Sequence, residues 1–313
     1  MNKIYLLPFI VVMILHNTFS QTISIPSYYQ IDEKLSEDLY KIILELDLEL
    51  NFDVGDDGIE QISFAVIDLT SGQPKFGGVN YDNFIYPASV YKMYVAAEIL
   101  NQVSQNKYSL YQSYVTKEPN IVDRSKQIDI DPRPLLIDGD TVTVNYLLDL
   151  MITRSDNSAA NCLIDIAQRK NIDGLLHYYK WFGSEVTRKF LKRKYEDPDY
   201  ESIRGTETCA LHAADFMYKI YSNFLVNEWV SLQMKTLLGR QLDTSKLSTG
   251  LPASAMFYHK TGWFAYWTND VGIVIDGDVK YIIACFLPLE EDLALPKFKL
   301  LSEKVYELIK SRK

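Results

Sequence analysis

Residues Leu147 to Leu163 read LLDLMITRSDNSAANCL. Upstream of the central triplet, Val144 to Ile152 carries apolar residues at helical spacing, and downstream Ser158 to Gln168 does the same. Ser155-Asp156-Asn157 therefore falls in a break between two helices. All three are helix-capping residue types, so taken alone the triplet says only that a new helix starts there.

Two further short motifs change its weight. Upstream stands Ser89-Val90-Tyr91-Lys92, with Pro87 before it and a helical run over Ala88 to Leu100. That context places Ser89 in the first turn of a helix and Lys92 on the same face, within reach of the hydroxyl. A free serine is a weak nucleophile that needs a neighbouring base. Burial or nearby cations would keep Lys92 partly neutral for that task. The plain alternative is an N-capping serine with a lysine on a solvated face. Downstream, Lys260-Thr261-Gly262 follows Phe257-Tyr258-His259 and reads as an edge strand. A cation and a hydroxyl projecting from one strand suit a carboxylate, and Gly262 admits a close backbone approach. A lysine that keeps a strand edge soluble is the alternative there.

In this order, S-x-x-K, S-D-N and K-T-G resemble the signature of the class A serine β-lactamase family, among the penicillin-recognising serine hydrolases. The flanks, Leu147 to Leu163 and Leu237 to Pro252 (LLGRQLDTSKLSTGLP), resemble the family's own. The resemblance implies an α/β (α+β), β-lactamase/transpeptidase-like fold with the active site in a cleft between two lobes. It implies Ser89 as the acylated nucleophile, with either Lys92 or Glu196 through a water as its base. Ser155 would link the two lysines and relay a proton to the leaving nitrogen, and Asn157 would bind the substrate's acyl side chain. Lys260, Thr261 and Gly262 would receive the substrate, whose carboxylate both β-lactams and D-Ala-D-Ala peptides carry. The backbone N–H groups of Ser89 and Trp263 would form the oxyanion hole. Trp263 departs from the family, which places a small residue there, and its indole would narrow the cleft.

Deacylation in class A enzymes uses a glutamate in an E-x-x-L-N loop to activate water. Glu196 is the candidate here. It follows Thr187-Arg188 about three residues further on than in the family, and Tyr200 replaces the loop's asparagine. Asp197, Asp199 and Glu201 compete with it, and an acidic surface loop is the alternative. The implied activity is β-lactam hydrolysis through an acyl-enzyme on Ser89. The alternatives are a D-Ala-D-Ala carboxypeptidase or penicillin-binding hydrolase with slow deacylation, and a non-catalytic binding protein of the same fold.

The rest of the chain frames these motifs. Lys3 and the 12 apolar-core residues Ile4 to Leu15, with Thr18 and Ser20 before Gln21, read as a cleaved secretory signal over residues 1–20. Export across the inner membrane to a periplasmic or extracellular location follows. Cleavage removes only Lys3 among the charged side chains, leaving 31 basic against 41 acidic residues and a formal charge of −10. That balance argues against nucleic acid or an anionic membrane as partner. A small-molecule β-lactam or cell-wall peptide, acted on by a monomer, is the expected partnership.

Cys162, Cys209 and Cys285 are too few and too scattered for a disulfide framework, although a single pairing stays open. The histidines show no metal-ligand spacing, so neither metal nor cofactor is expected. Periodicity predicts a helix over Asp32 to Leu50, a strand over Ile62 to Leu69 with a second after Ser71-Gly72, and a long irregular connection over Lys117 to Thr141. It also predicts a hairpin of Val271 to Ile275 with Val279 to Leu287 around Asp276-Gly277, and a closing helix over Lys297 to Lys310. Residues 21–313 thus form one catalytic domain. Its α/β lobe is built from about 30–85 and 250–313, and its helical lobe from about 86–249.

Overall fold

The computed structural model describes residues 23–123, 131–187, 189 and 205–313. Its strands are β1 (Gln30–Ile31), β2 (Phe52–Asp53), β3 (Ile59–Glu60), β4 (Ser63–Asp68), β5 (Lys75–Val79), β6 (Ser113–Val115), β7 (Thr141–Thr143), β8 (Met256–Phe264), β9 (Trp267–Asp276) and β10 (Val279–Leu287). The helices are α1 (Glu33–Glu45), α2 (Lys92–Ser104), α3 (Val144–Thr153), α4 (Asn157–Ala167), α5 (Arg169–Tyr178), α6 (Ala210–Tyr221), α7 (Glu228–Leu238) and α8 (Glu291–Ser311).

The main sheet runs β1-β5-β4-β10-β9-β8. Its pairs are antiparallel except for β1, which lies parallel to β5 at one edge. The expected hairpin closes where Val279 pairs with Asp276, and Gly277 takes the positive φ of 59° that such a turn needs. β9 is longer than expected because Trp267 to Asp270 continue the ladder opposite Phe264 to Thr261.

Alternation along the strands feeds two cores. Phe64 and Val66 of β4, with Tyr281, Ile283 and Cys285 of β10, pack against α1 and α8 on one face. Ala65, Ile67, Ile282, Ala284 and Phe286 face the other way, into a larger core shared with α2, α3, α4, α6 and α7. α1 stops at Glu45, short of the expected Leu50, because Asp47 turns to a φ of 52°. α8 starts at Glu291, earlier than expected, and carries Pro296 within it. The expected irregular connection is pinched at its base, where β6 pairs with β7. The three cysteines are buried free thiols, and burial pushes Cys162 to about 11 and Cys209 to about 12. Among the described residues no helix is long and apolar enough to cross a membrane.

α6 lies between the sheet and the other helices and is buried nearly all round. The backbone N–H of Ala210 donates to Ser63 Oγ at 2.9 Å, tying the helix start to β4. His212 is 4% exposed, with Nδ1 2.9 Å from Ser184 Oγ, and burial lowers it from 6.5 to about 4. Between those values the unfolded chain takes up a proton that the folded one refuses. Stability is therefore intact above pH 6.5 and falls as the pH drops toward 4, by about 3 kcal/mol from this group. Denaturant unfolding of wild type and His212→Gln across that range should show their difference changing by about that amount. A pH-independent difference would refute the assignment.

Candidate active site

Ser89 sits in the first turn of the expected helical run, but that turn is 3-10 rather than α. Ala88–Tyr91 form a 3-10 turn entered through Ala88 at a φ of 45°, and α2 begins only at Lys92. Ser89 is half-buried there. Two contacts fix the segment before it: Asn269 Nδ2 on β9 donates to the Tyr86 carbonyl at 3.2 Å, and the Tyr86 ring packs edge-on against Phe264 and Trp267.

Lys92 is fully buried. Its Nζ donates to the Ser155 carbonyl at 2.7 Å, Ser155 Oγ at 3.2 Å and Asn157 Oδ1 at 2.7 Å. These acceptors come from the break between α3 and α4. Ser155 holds a φ of 59°, a left-handed conformation uncommon outside glycine, which turns both of its oxygens toward Lys92. Asp156 caps α4, its Oδ1 accepting from the Ala159 N–H at 2.7 Å. Its Oδ2 pairs with buried Arg154 at 2.9 Å, and Arg154 also donates to the carbonyls of Arg133 and Pro134. A helix cap thus accounts for Asp156.

The second lysine arrives from β8, the free edge of the sheet. Lys260 is fully buried, and its Nζ donates to Ser155 Oγ at 3.1 Å and to the Thr261 carbonyl at 2.6 Å. Ser155 Oγ thus accepts from both lysines. With its two lone pairs engaged, its own O–H is left to donate. Alternate residues of an edge strand direct their backbone groups away from the ladder. The Thr261 carbonyl, taken by the Lys260 side chain, lies on that outer side, and Trp263, two residues on, has the same orientation. A Cβ on Gly262 would stand 2.6 Å from the Pro87 carbonyl and 2.9 Å from the Ser89 nitrogen. The missing side chain is what brings β8 against the Ser89 turn. Trp263 itself is 54% exposed beside the β8–β9 hairpin.

Asp123 is a site residue that the sequence did not announce. Its carboxylate accepts from the Asn157 N–H at 2.6 Å and from Asn157 Nδ2 at 3.0 Å. A polar residue ahead of the S-D-N helix is weak signal by itself, and several acidic residues crowd that stretch. Glu196 and its competitors Asp197, Asp199 and Glu201 lie outside the described residues. Lys189 is described and pairs with Asp165 of α4 at 2.5 Å and donates to Asn120 Oδ1 at 3.1 Å.

This arrangement of sheet and helices is the β-lactamase/transpeptidase-like fold. The chain belongs to the β-lactamase enzyme family, whose model matches residues 48–307. It is 26% identical over 212 residues, 64% of this chain, to the extended-spectrum β-lactamase PER-1 of Pseudomonas aeruginosa, and the match spans 66% of that enzyme's length. Among solved structures, PBP-A superposes with a TM-score of 0.74 at 18% identity, over 92% of this chain and all of the other. A mutant of PBP-A, solved as an acyl-enzyme complex with penicillin G, gives 0.73 at 18%, over 90% and 98% of the two chains. A β-lactamase from Sphaerobacter thermophilus gives 0.72 at 16%, over 88% and 98%.

Proposed function

We propose that the mature protein, residues 21–313, is an exported, monomeric serine β-lactamase that opens the lactam amide through an acyl-enzyme on Ser89. The observation that carries this reading is Ser155 Oγ held 3.2 Å from Lys92 Nζ and 3.1 Å from Lys260 Nζ. A hydroxyl between two lysines can pass a proton to a leaving nitrogen and recover one from the same cluster. Ser89 attacks the lactam carbonyl, its proton taken by Lys92 or by Glu196 through a water. The developing oxyanion is received by the backbone N–H groups of Ser89 and Trp263. Lys260 and Thr261 hold the substrate carboxylate, with Gly262 allowing its close approach, and the Asn157 amide binds the acyl side chain. Glu196 then activates the water that releases the product.

A second reading is a D-Ala-D-Ala carboxypeptidase or penicillin-binding hydrolase that deacylates slowly. The displaced position of Glu196 and Tyr200 in place of the loop's asparagine favour it. Intact mass after mixing with a penicillin, followed from seconds to hours alongside lactam loss, separates the two. Rapid lactam loss with at most a transient adduct on Ser89 is the expected result. A persistent one-to-one adduct with little turnover would establish the slow hydrolase, and no adduct and no turnover would leave a non-catalytic binder. If Glu196 activates the water, Glu196→Gln should still acylate but release product about 10²–10⁴-fold more slowly, so that the adduct accumulates. An unchanged release rate would remove Glu196 from that role.

A further inference from the structure

Asp123 stands 34 residues before Asn157, yet each of its carboxylate oxygens accepts a hydrogen bond from that one residue. Oδ2 takes the backbone N–H that opens α4, and Oδ1 takes one hydrogen of the side-chain amide. The other end of the amide is equally committed, since Asn157 Oδ1 accepts from Lys92 Nζ at 2.7 Å. An amide held by an anion at nitrogen and a cation at oxygen has one orientation, because a flip would set donor against ammonium and acceptor against carboxylate. Among the described residues the other Nδ2 hydrogen has no acceptor and is left for a ligand.

The segment presenting Asp123 is itself built onto α4. Ser158 Oγ accepts from the backbone N–H groups of Val122 at 2.9 Å and Asp123 at 3.2 Å. Asn161 Nδ2 donates to the Asn120 carbonyl at 3.1 Å, and Asn120 Nδ2 donates to Asp165 Oδ2 at 2.7 Å. Residues 157, 158, 161 and 165 thus form a polar stripe along one face of the helix that grips residues 120–123. Capping α4 would need only the oxygen that accepts the Asn157 backbone N–H, a donor distinct from the Ala159 N–H that Asp156 takes, whereas the second Asp123 oxygen is placed on the side-chain amide.

We propose that Asp123 is a positioning residue. By locking the Asn157 amide and polarising its free N–H, it sets a preference for substrates that carry an acylamino carbonyl. The inference rests on the β-lactamase reading and deepens it. A lost or misdirected hydrogen bond from a charge-supported donor corresponds to about 10–100-fold.

The test compares kcat/KM for benzylpenicillin, which has the acylamino carbonyl, with that for 6-aminopenicillanic acid, which lacks it. It uses wild type, Asp123→Ala and the isosteric Asp123→Asn, with melting temperatures measured alongside. Asp123→Ala should lose about 10–100-fold on benzylpenicillin and little on 6-aminopenicillanic acid, so that the ratio between them collapses. Asp123→Asn keeps one acceptor and the side chain's shape, and should give an intermediate ratio even if the alanine variant folds poorly. Equal losses on both substrates, or an unchanged ratio in Asp123→Asn, would reduce Asp123 to a helix cap and overturn the proposal. Wild-type protein inert toward both compounds would instead overturn the β-lactamase reading beneath it.

Discussion

Ser89→Ala folds like wild type and loses β-lactam turnover by at least about 10⁴-fold, with no covalent adduct in the mass spectrum. The substitution removes one oxygen from a half-buried side chain and leaves the backbone that shapes the site untouched. Ala88 keeps its positive φ, Asn269 keeps the Tyr86 carbonyl, and Gly262 keeps its approach to the turn. No cavity of consequence opens, so the melting temperature should hold within a degree or two. Loss of activity in this variant therefore reports chemistry rather than folding. Lys92 could not serve as well. Its removal would leave the Ser155 carbonyl, Ser155 Oγ and Asn157 Oδ1 without their buried cation, mixing catalytic and structural loss. Hydrolysis near the wild-type rate in Ser89→Ala would sink the acyl-enzyme assignment.

The parts of this fold that sequence made legible are those whose signal is local. α3, α4 and the β9–β10 hairpin announce themselves through periodicity, capping residues and a turn dipeptide, and the structure places them within a few residues of expectation. α6 gave no such signal. Nine of its twelve residues are buried, because it is covered by the sheet on one side and by helices on the other, and a helix buried all round shows no apolar stripe. The short β1 was equally silent. It lies parallel to β5, a pairing made by chain path rather than by its own two residues.

The site divides along the same line. Ser89, Lys92, Ser155, Asn157 and Lys260 stand in recognisable triplets and quartets, and the fold brings Lys92, Ser155, Asn157 and Lys260 into one hydrogen-bonded cluster. Asp123 acts across 34 residues from a stretch crowded with carboxylates, so neither spacing nor composition singles it out. The same holds for Arg154, whose burial between Asp156 and two backbone carbonyls follows only from how residues 131–134 return to the α3–α4 break. Spacing along the chain exposes groups that share an element. It is blind to groups that meet because loops close.

Gly262→Ala should cost about 10²–10³-fold in kcat while leaving a folded protein. The new methyl would meet the Pro87 carbonyl at 2.6 Å, the Ser89 nitrogen at 2.9 Å and the Val90 nitrogen at 3.0 Å. All three atoms are backbone, so no side chain can swing aside. The turn cannot retreat easily either. The Val90 N–H donates to the Pro87 carbonyl at 3.1 Å, and Asn269 and the Tyr86 ring hold the residues before it. β8, which among the described residues is an edge strand paired only with β9, is the freer partner and would move away from Ser89. That displacement separates the Ser89 and Trp263 backbone donors and stretches the Lys260–Ser155 contact, so transition-state stabilisation is lost faster than fold stability. Overpacking of this kind costs about 1–3 kcal/mol, which for a domain of this size lowers the melting temperature by about 2–10 °C. Gly72→Ala supplies the control, because a Cβ there meets nothing within 4 Å and should change neither rate nor melting temperature. A Gly262→Ala enzyme that turns over like wild type would mean that β8 and the Ser89 turn tolerate a looser fit than their backbone distances imply. The oxyanion-hole role given to Trp263 would then have to be abandoned.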